Sequence, residues 1–175
     1  MPQEPPEVQV SPGGAADLPA LTSIYNHYVR ETAITFDTVV FTPGERREWL
    51  LSHPEDGPHR LLVARDSRGG AVLGYATSGP FRPKPAYTTS VELSVYLAPG
   101  AVRRGVGTLL YKRLFEALAG EDVHRAYAGV AEPNAASTRL HERFGFRRVG
   151  TYREVGRKFG RYWDVTWYEK DLGQG

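Results

Sequence analysis

The sequence contains no cysteine. That absence excludes disulfides, a thiolate zinc site and a cysteine nucleophile together. No apolar run approaches the roughly 20 residues that a membrane-spanning helix needs, so no membrane partner is expected. The opening MPQEPPEVQV lacks both the basic start and the apolar core of a secretory signal, which predicts the cytoplasm. A large excess of one charge sign is missing too, since 22 basic residues against 20 acidic ones leave a net of +2. Arg139, Arg143, Arg147, Arg148, Arg153, Arg157, Lys158 and Arg161 crowd toward the end. Glu142 and Glu154 interrupt them, no stacking-aromatic pattern accompanies them, and the expectation is no nucleic-acid partner. His27, His53, His59 and His124 have no metal-site spacing, so no metal is expected.

What remains is an ordinary globular composition, 41% apolar and 24% charged over 175 residues, enough for one domain with a core of its own. Residues 1–7, with three prolines and two glutamates, read as a flexible tail, and 8–172 as a single domain. The pattern predicts a strand at VQVSP and a helix capped by Asp17 with Leu18, Leu21, Ile24, Tyr25 and Tyr28 on one stripe. Thr42-Pro43-Gly44-Glu45 is a capping-box signal for a second helix that carries Trp49 and Leu50. Two apolar runs, Arg60 to Arg65 and Ala71 to Ser78, flank Asp66–Gly70 as a hairpin. After a proline-rich loop, Gly79 to Thr88, the order is strand, helix, strand, helix and two final strands. This predicts an α/β fold, a mixed sheet with helices on its faces.

The stretch from Val91 to Leu118 carries the strongest chemical signal. An alternating strand runs through a Pro-Gly loop into Arg103-Arg104-Gly105-Val106-Gly107-Thr108 at the mouth of an amphipathic helix. Glycine lets the backbone come close, the helix N-terminus presents unsatisfied N–H groups and a positive dipole end, and two arginines add charge. The expected ligand bears phosphates.

Several further blocks share an order. They are Ile24-Tyr25-Asn26-His27-Tyr28-Val29, Thr35-Phe36, Gly79-Pro80-Phe81 to Tyr87, Glu92-Leu93-Ser94-Val95-Tyr96, Pro133-Asn134, Arg139-Leu140-His141-Glu142, Phe144-Gly145-Phe146 and Trp163-Asp164-Val165. Together with the glycine turn they resemble the GNAT superfamily of acetyl-CoA-dependent N-acetyltransferases, within it the phosphinothricin acetyltransferase group. The resemblance implies acetyl-CoA as co-substrate, laid in a gap between two splayed parallel strands. Its pyrophosphate would rest on Arg103, Arg104, Gly105, Val106, Gly107 and Thr108. Its pantetheine arm would lie along Val95, Tyr96 and Leu97, with Asn134 bonded to it. One departure is Val102, where the turn in many members begins with a polar residue. Family members are often dimers, so the same likeness implies a homodimer.

Acetyl transfer to an amine needs the neutral nitrogen, so the site must accept a proton. A carboxylate whose pKa is raised by burial can do this. Glu92, an acid in an otherwise apolar strand, is the candidate and matches the family's proposed catalytic glutamate. The likeness marks His141 for proton transfer or positioning, while a lone helical histidine is more often a packing residue. Tyr87, Tyr96, Tyr127 and Tyr162 are all conceivable donors to the departing thiolate. With no thiol to relay it, the acetyl group is expected to move directly. The resemblance places acceptor recognition on Phe36, Lys84 and Tyr87. Lys84 stands where arginine is usual, and a lysine lacks arginine's planar fork for a carboxylate. The expected acceptor is the amine of a small amino-acid-like molecule of the phosphinothricin or methionine sulfoximine type. Another small amine, a protein N-terminus, or acetyl-CoA binding without catalysis are the competing readings.

Overall fold

A computed structural model of the chain describes residues 7–102 and 104–173. Seven strands form one sheet: β1 Val8–Pro12, β2 Leu61–Asp66, β3 Val72–Pro80, β4 Ser90–Leu97, β5 Arg125–Ala131, β6 Arg147–Lys158 and β7 Arg161–Asp171. Their order across the sheet is β1-β2-β3-β4-β5-β7-β6. Neighbours run antiparallel except β4 and β5, which are parallel. The helices are α1 Leu18–Glu31, α2 Arg47–Leu51, α3 Val106–Leu118 and α4 Ala135–Arg143. The expected mixed sheet with flanking helices is the observed architecture.

The period of two in the strands divides the core between the faces. Leu61, Val63 and Tyr75 point to one side and pack with Leu18, Leu21 and Ile24 of α1 and Leu50 of α2. Leu62, Ala64, Val91 and Leu93 point to the other and pack with Leu110, Tyr111, Leu114 and Leu118 of α3. Strand β2 is apolar on both faces because helices cover both. In β4 the same alternation buries Val91 and Leu93 under α3 and leaves Glu92, Ser94 and Tyr96 on the α1 side.

Two local expectations change. Asp17 stands at the start of α1, yet its carboxylate accepts from Gly14 N at 2.9 Å and from Arg65 Nη2 at 2.5 Å instead of capping α1. An available guanidinium on β2 outcompetes the local cap. The capping box at residues 42–45 does form, with Thr42 N donating to Glu45 Oε2 at 2.7 Å and Glu45 N to Thr42 Oγ1 at 3.3 Å. It opens on tight turns, Arg46 N to Pro43 O and Arg47 N to Gly44 O. Regular helix therefore begins only at Arg47 and lasts five residues.

Candidate active site

The parallel pairing of β4 with β5 covers only Ser90↔Arg125, Val91↔Ala126 and Glu92↔Tyr127. Beyond it β4 continues to Leu97 and β5 to Ala131, so the strands part directly after Glu92. Strand geometry turns alternate N–H and C=O groups of each strand toward the other, leaving an amide-lined gap into which an extended amide-bearing chain can insert. A narrow slot of about 50 Å³ occupies it, lined by Leu93 to Tyr96 and Ala128 to Ala131, with Asn134 and His141 from α4. Val95 and Tyr96, which the resemblance assigns to the pantetheine arm, line this slot, and Leu97 ends the same strand.

At the far end of β4 the chain makes a tight turn, Pro99–Ala101, and then enters α3. Gly105 is the N-cap with φ 74°, ψ 6°, the left-handed region where only glycine sits without strain. The first helical bond runs from Leu109 N to Gly105 O, so the N–H groups of Val106, Gly107 and Thr108 precede any intrahelical acceptor. Arg143 of α4 donates to Thr108 Oγ1 at 2.8 Å and brings a second cation to this turn. Arg104 is exposed beside it. Arg103 lies outside the described residues. The donor set fits a diphosphate: backbone N–H groups, a helix N-terminus and guanidinium groups, with no carboxylate in the turn.

Helix α4 meets this assembly from the other side. Asn134 is its N-cap and accepts from Ser137 N at 3.1 Å through Oδ1, so its amide NH2 is the part that can donate into the slot. His141 is 3% exposed. Its Nδ1 lies 2.7 Å from the carbonyl of Ser137, which can only accept, so Nδ1 carries the proton. Nε2 is then an acceptor and receives the Tyr111 hydroxyl at 2.8 Å. Burial holds the imidazole below the usual histidine range, so it is neutral at pH 7. Both nitrogens of His141 are engaged by the protein itself.

Glu92 occupies the apex. Its half-buried carboxyl lines a cavity of about 340 Å³ together with Phe36, Tyr152 and Trp167. Ile34, Gly129 and Ala131 border both this cavity and the slot, so the two meet across β5. Burial pushes the Glu92 carboxyl above its ordinary value, and the Arg82 guanidinium partly offsets the rise. A base with a raised pKa, standing where a wide cavity joins a narrow amide-lined gap, is equipped to take a proton from an amine that enters from the cavity.

The structure separates the remaining candidates. Phe36 stands in the wall of the Glu92 cavity, but Lys84 and Tyr87 are exposed and line a different cavity of about 540 Å³, with His59, Phe81 and Arg82. The cation of this loop that acts on Glu92 is Arg82. Phe81 stacks on Tyr127 with centroids 4.3 Å apart, and the Arg82 guanidinium lies over the Phe81 ring at 4.2 Å and near Trp167 at 5.5 Å. Arg82, Trp167 and Tyr111 escaped the sequence reading. Arg82 had a signal, being basic and two residues from the chosen lysine, but nothing in the sequence set Tyr111 apart within α3.

Splayed parallel strands, a glycine-capped phosphate turn and a carboxylate at the apex define an acyl-CoA transferase scaffold, and the chain belongs to the acetyltransferase (GNAT) domain family, whose match spans residues 14–167. Its class is accordingly acetyl-CoA-dependent N-acetyltransferase. Among curated relatives, a phosphinothricin N-acetyltransferase of Streptomyces coelicolor is 72% identical over 95% of this chain and 97% of its own. An L-methionine sulfoximine/L-methionine sulfone acetyltransferase of Pseudomonas paraeruginosa is 36% identical over 91% of both chains. Among solved structures, a GNAT superfamily phosphinothricin acetyltransferase from Sinorhizobium meliloti in complex with acetyl-CoA superposes with a TM-score of 0.89. That pair is 30% identical, over 96% of this chain and 90% of the other.

Proposed function

We propose that this protein moves the acetyl group of acetyl-CoA directly onto the amine of a small amino-acid-like acceptor of the phosphinothricin or methionine sulfoximine type, with Glu92 as the proton acceptor. The observation that carries the reading is the position of Glu92, at the last paired register before β4 and β5 part and in the wall of the cavity that meets the gap. The relatives named for these acceptors support the substrate class.

In this reading each group has a role. The N–H groups of Val106 to Thr108, with Arg104 and Arg143, hold the diphosphate, and Arg103 belongs to the same turn in sequence. The unpaired edge of β4 over Val95 to Leu97 pairs with the pantetheine amides, and Asn134 donates to them. Glu92 takes a proton from the acceptor's ammonium, the freed nitrogen attacks the thioester carbonyl, a C–N bond forms and the C–S bond breaks, and the second proton shed by the nitrogen ends on the departing sulfur as CoA thiol, while Glu92 returns its own proton to solvent. Backbone N–H groups facing the gap after Glu92 stabilise charge on the carbonyl oxygen as it develops. Phe36 forms the apolar wall beside the acceptor and Arg82, the cation that acts on Glu92, answers the acceptor's carboxylate, while Lys84 and Tyr87, which line the separate cavity, are assigned no contact with it. His141, with both nitrogens engaged, positions the wall of the gap through Tyr111 and Ser137. The long edge strand β6, on which Val149, Tyr152 and Val155 are each more than half exposed, supports a homodimer through that edge. A cytoplasmic setting is part of the same reading.

The test is release of CoA thiol from acetyl-CoA with a panel of acceptors: phosphinothricin, methionine sulfoximine, glutamate, a polyamine and an alanine-ended peptide. Release above background is expected with the first two. Preference for the polyamine or the peptide would replace the proposed acceptor, and binding of acetyl-CoA with no release for any amine would leave a binding module.

A further inference from the structure

Phe36 forms one wall of the Glu92 cavity and yet belongs to an irregular loop between α1 and α2, so something must hold its ring in place. The loop's backbone is tied on both sides of it. Lys158, a buried cation at the end of β6, donates through Nζ to the carbonyl of Thr35 at 2.8 Å. Tyr25 shares a hydrogen bond with Thr35 Oγ1 at 2.8 Å and donates to the Asp37 carboxylate. The ring itself lies against Gly156. A Cβ built on that residue would stand within 2.6 Å of Cδ2, Cε2 and Cζ of Phe36, closer than real carbon contacts come.

Gly156 owes this position to an irregularity in the β6–β7 hairpin. Tyr152 pairs with Val165 and Gly156 with Trp163, so β6 spends four residues where β7 spends two. Inside the bulge Glu154 has φ 53° and its N–H donates to Asp164 Oδ1 at 2.7 Å. A bulge re-aims side chains and bends its strand. Here it sends Tyr152 and Val155 into the cavity wall and brings the bare backbone of Gly156 under the Phe36 ring.

We propose that Gly156 is a positioning residue that sets the range of acceptors by seating Phe36. The inference rests on the Glu92 cavity being the acceptor site. Gly156 does not have a positive φ, so alanine fits the local backbone, and the three heavy atoms nearest its methyl all belong to the Phe36 ring. Gly156→Ala displaces the ring and reshapes the cavity without touching Glu92 or the phosphate turn. Side-chain differences of one carbon in an apolar pocket change discrimination by about 10- to 200-fold.

The experiment compares wild type, G156A, F36A and the double variant. It measures acceptor KM and kcat, acetyl-CoA affinity by calorimetry, and fluorine NMR of protein carrying 4-fluorophenylalanine, with the Phe36 signal assigned by its loss in F36A. Expected for G156A are an acceptor KM raised by about tenfold or more, kcat and acetyl-CoA affinity changed little, and a shifted Phe36 resonance. In the F36A background the second substitution should add nothing, because no ring is left to displace. An equal loss from G156A in both backgrounds, or an unmoved Phe36 resonance, overturns the inference. If the wild type acetylates no acceptor while the resonance still moves, the acceptor-site reading fails and the seating of Phe36 by Gly156 stands as packing alone.

Discussion

The carboxylate of Glu92, half withdrawn from water at the apex of the gap, has its chemistry set by its surroundings. Burial raises the Glu92 carboxyl above its reference value of 4.5, so the acid limb of kcat/KM is expected above that pH. Glu92→Gln should lower kcat by about 10²- to 10⁴-fold, remove that limb and leave acetyl-CoA affinity nearly unchanged; equal loss of affinity would place Glu92 in cofactor binding instead. Stability should move the other way. A carboxyl whose pKa is raised on folding contributes stability that is full below the unfolded value and is lost as pH rises through the folded one. Above pH 4.5 the raised carboxyl is therefore a cost, and at pH 7 the glutamine variant should melt at or above the wild-type temperature, the gap closing below pH 4.5. An acid alone among apolar residues of a strand was legible in VELSVYL. That Arg82 and not Lys84 faces Glu92 was not legible, because it depends on Phe81 stacking over Tyr127.

At the scale of elements, the cofactor gap is held open by two helices that must keep their distance. Helix α3 carries the phosphate turn, α4 carries Asn134, and two bonds tie them, Tyr111 to His141 at 2.8 Å and Arg143 to Thr108 at 2.8 Å. Tyr111→Phe leaves the buried Nε2 of His141 without its donor, a loss of about 1–3 kcal/mol, visible as a fall of several degrees in thermal midpoint at this chain length. Acetyl-CoA KM should rise while the pH profile stays in place. A displaced acid or basic limb would show instead that this pair titrates in the reaction. Strong periodicity made α1, α3 and the strand order readable, with Asp17 at the start of the first helix and the glycine turn at the mouth of the other. The short α2 was harder, since a capping box announces a helix without saying how many turns precede its regular part.

For the molecule as a whole, the proposed acetyl-CoA site joins the glycine turn, the split sheet and α4, so saturation should stabilise the entire fold. Acetyl-CoA at 100 times its dissociation constant is worth about 2.7 kcal/mol, or roughly 5–10 °C in thermal midpoint for a domain of this size; an unmoved midpoint with no calorimetric heat would remove the cofactor and the proposed transfer together. The sequence by itself determined the strand and helix order, the two-sided core, the phosphate turn and the acid beside it, because each is written in local periodicity or in residues close in the chain. Tertiary structure alone decided how far β4 and β5 stay paired, that His141 is occupied by Tyr111 thirty residues away, and that the backbone of Gly156 seats Phe36. Those contacts join segments remote in sequence, and a pattern read along one strand or helix carries no record of what will pack against it.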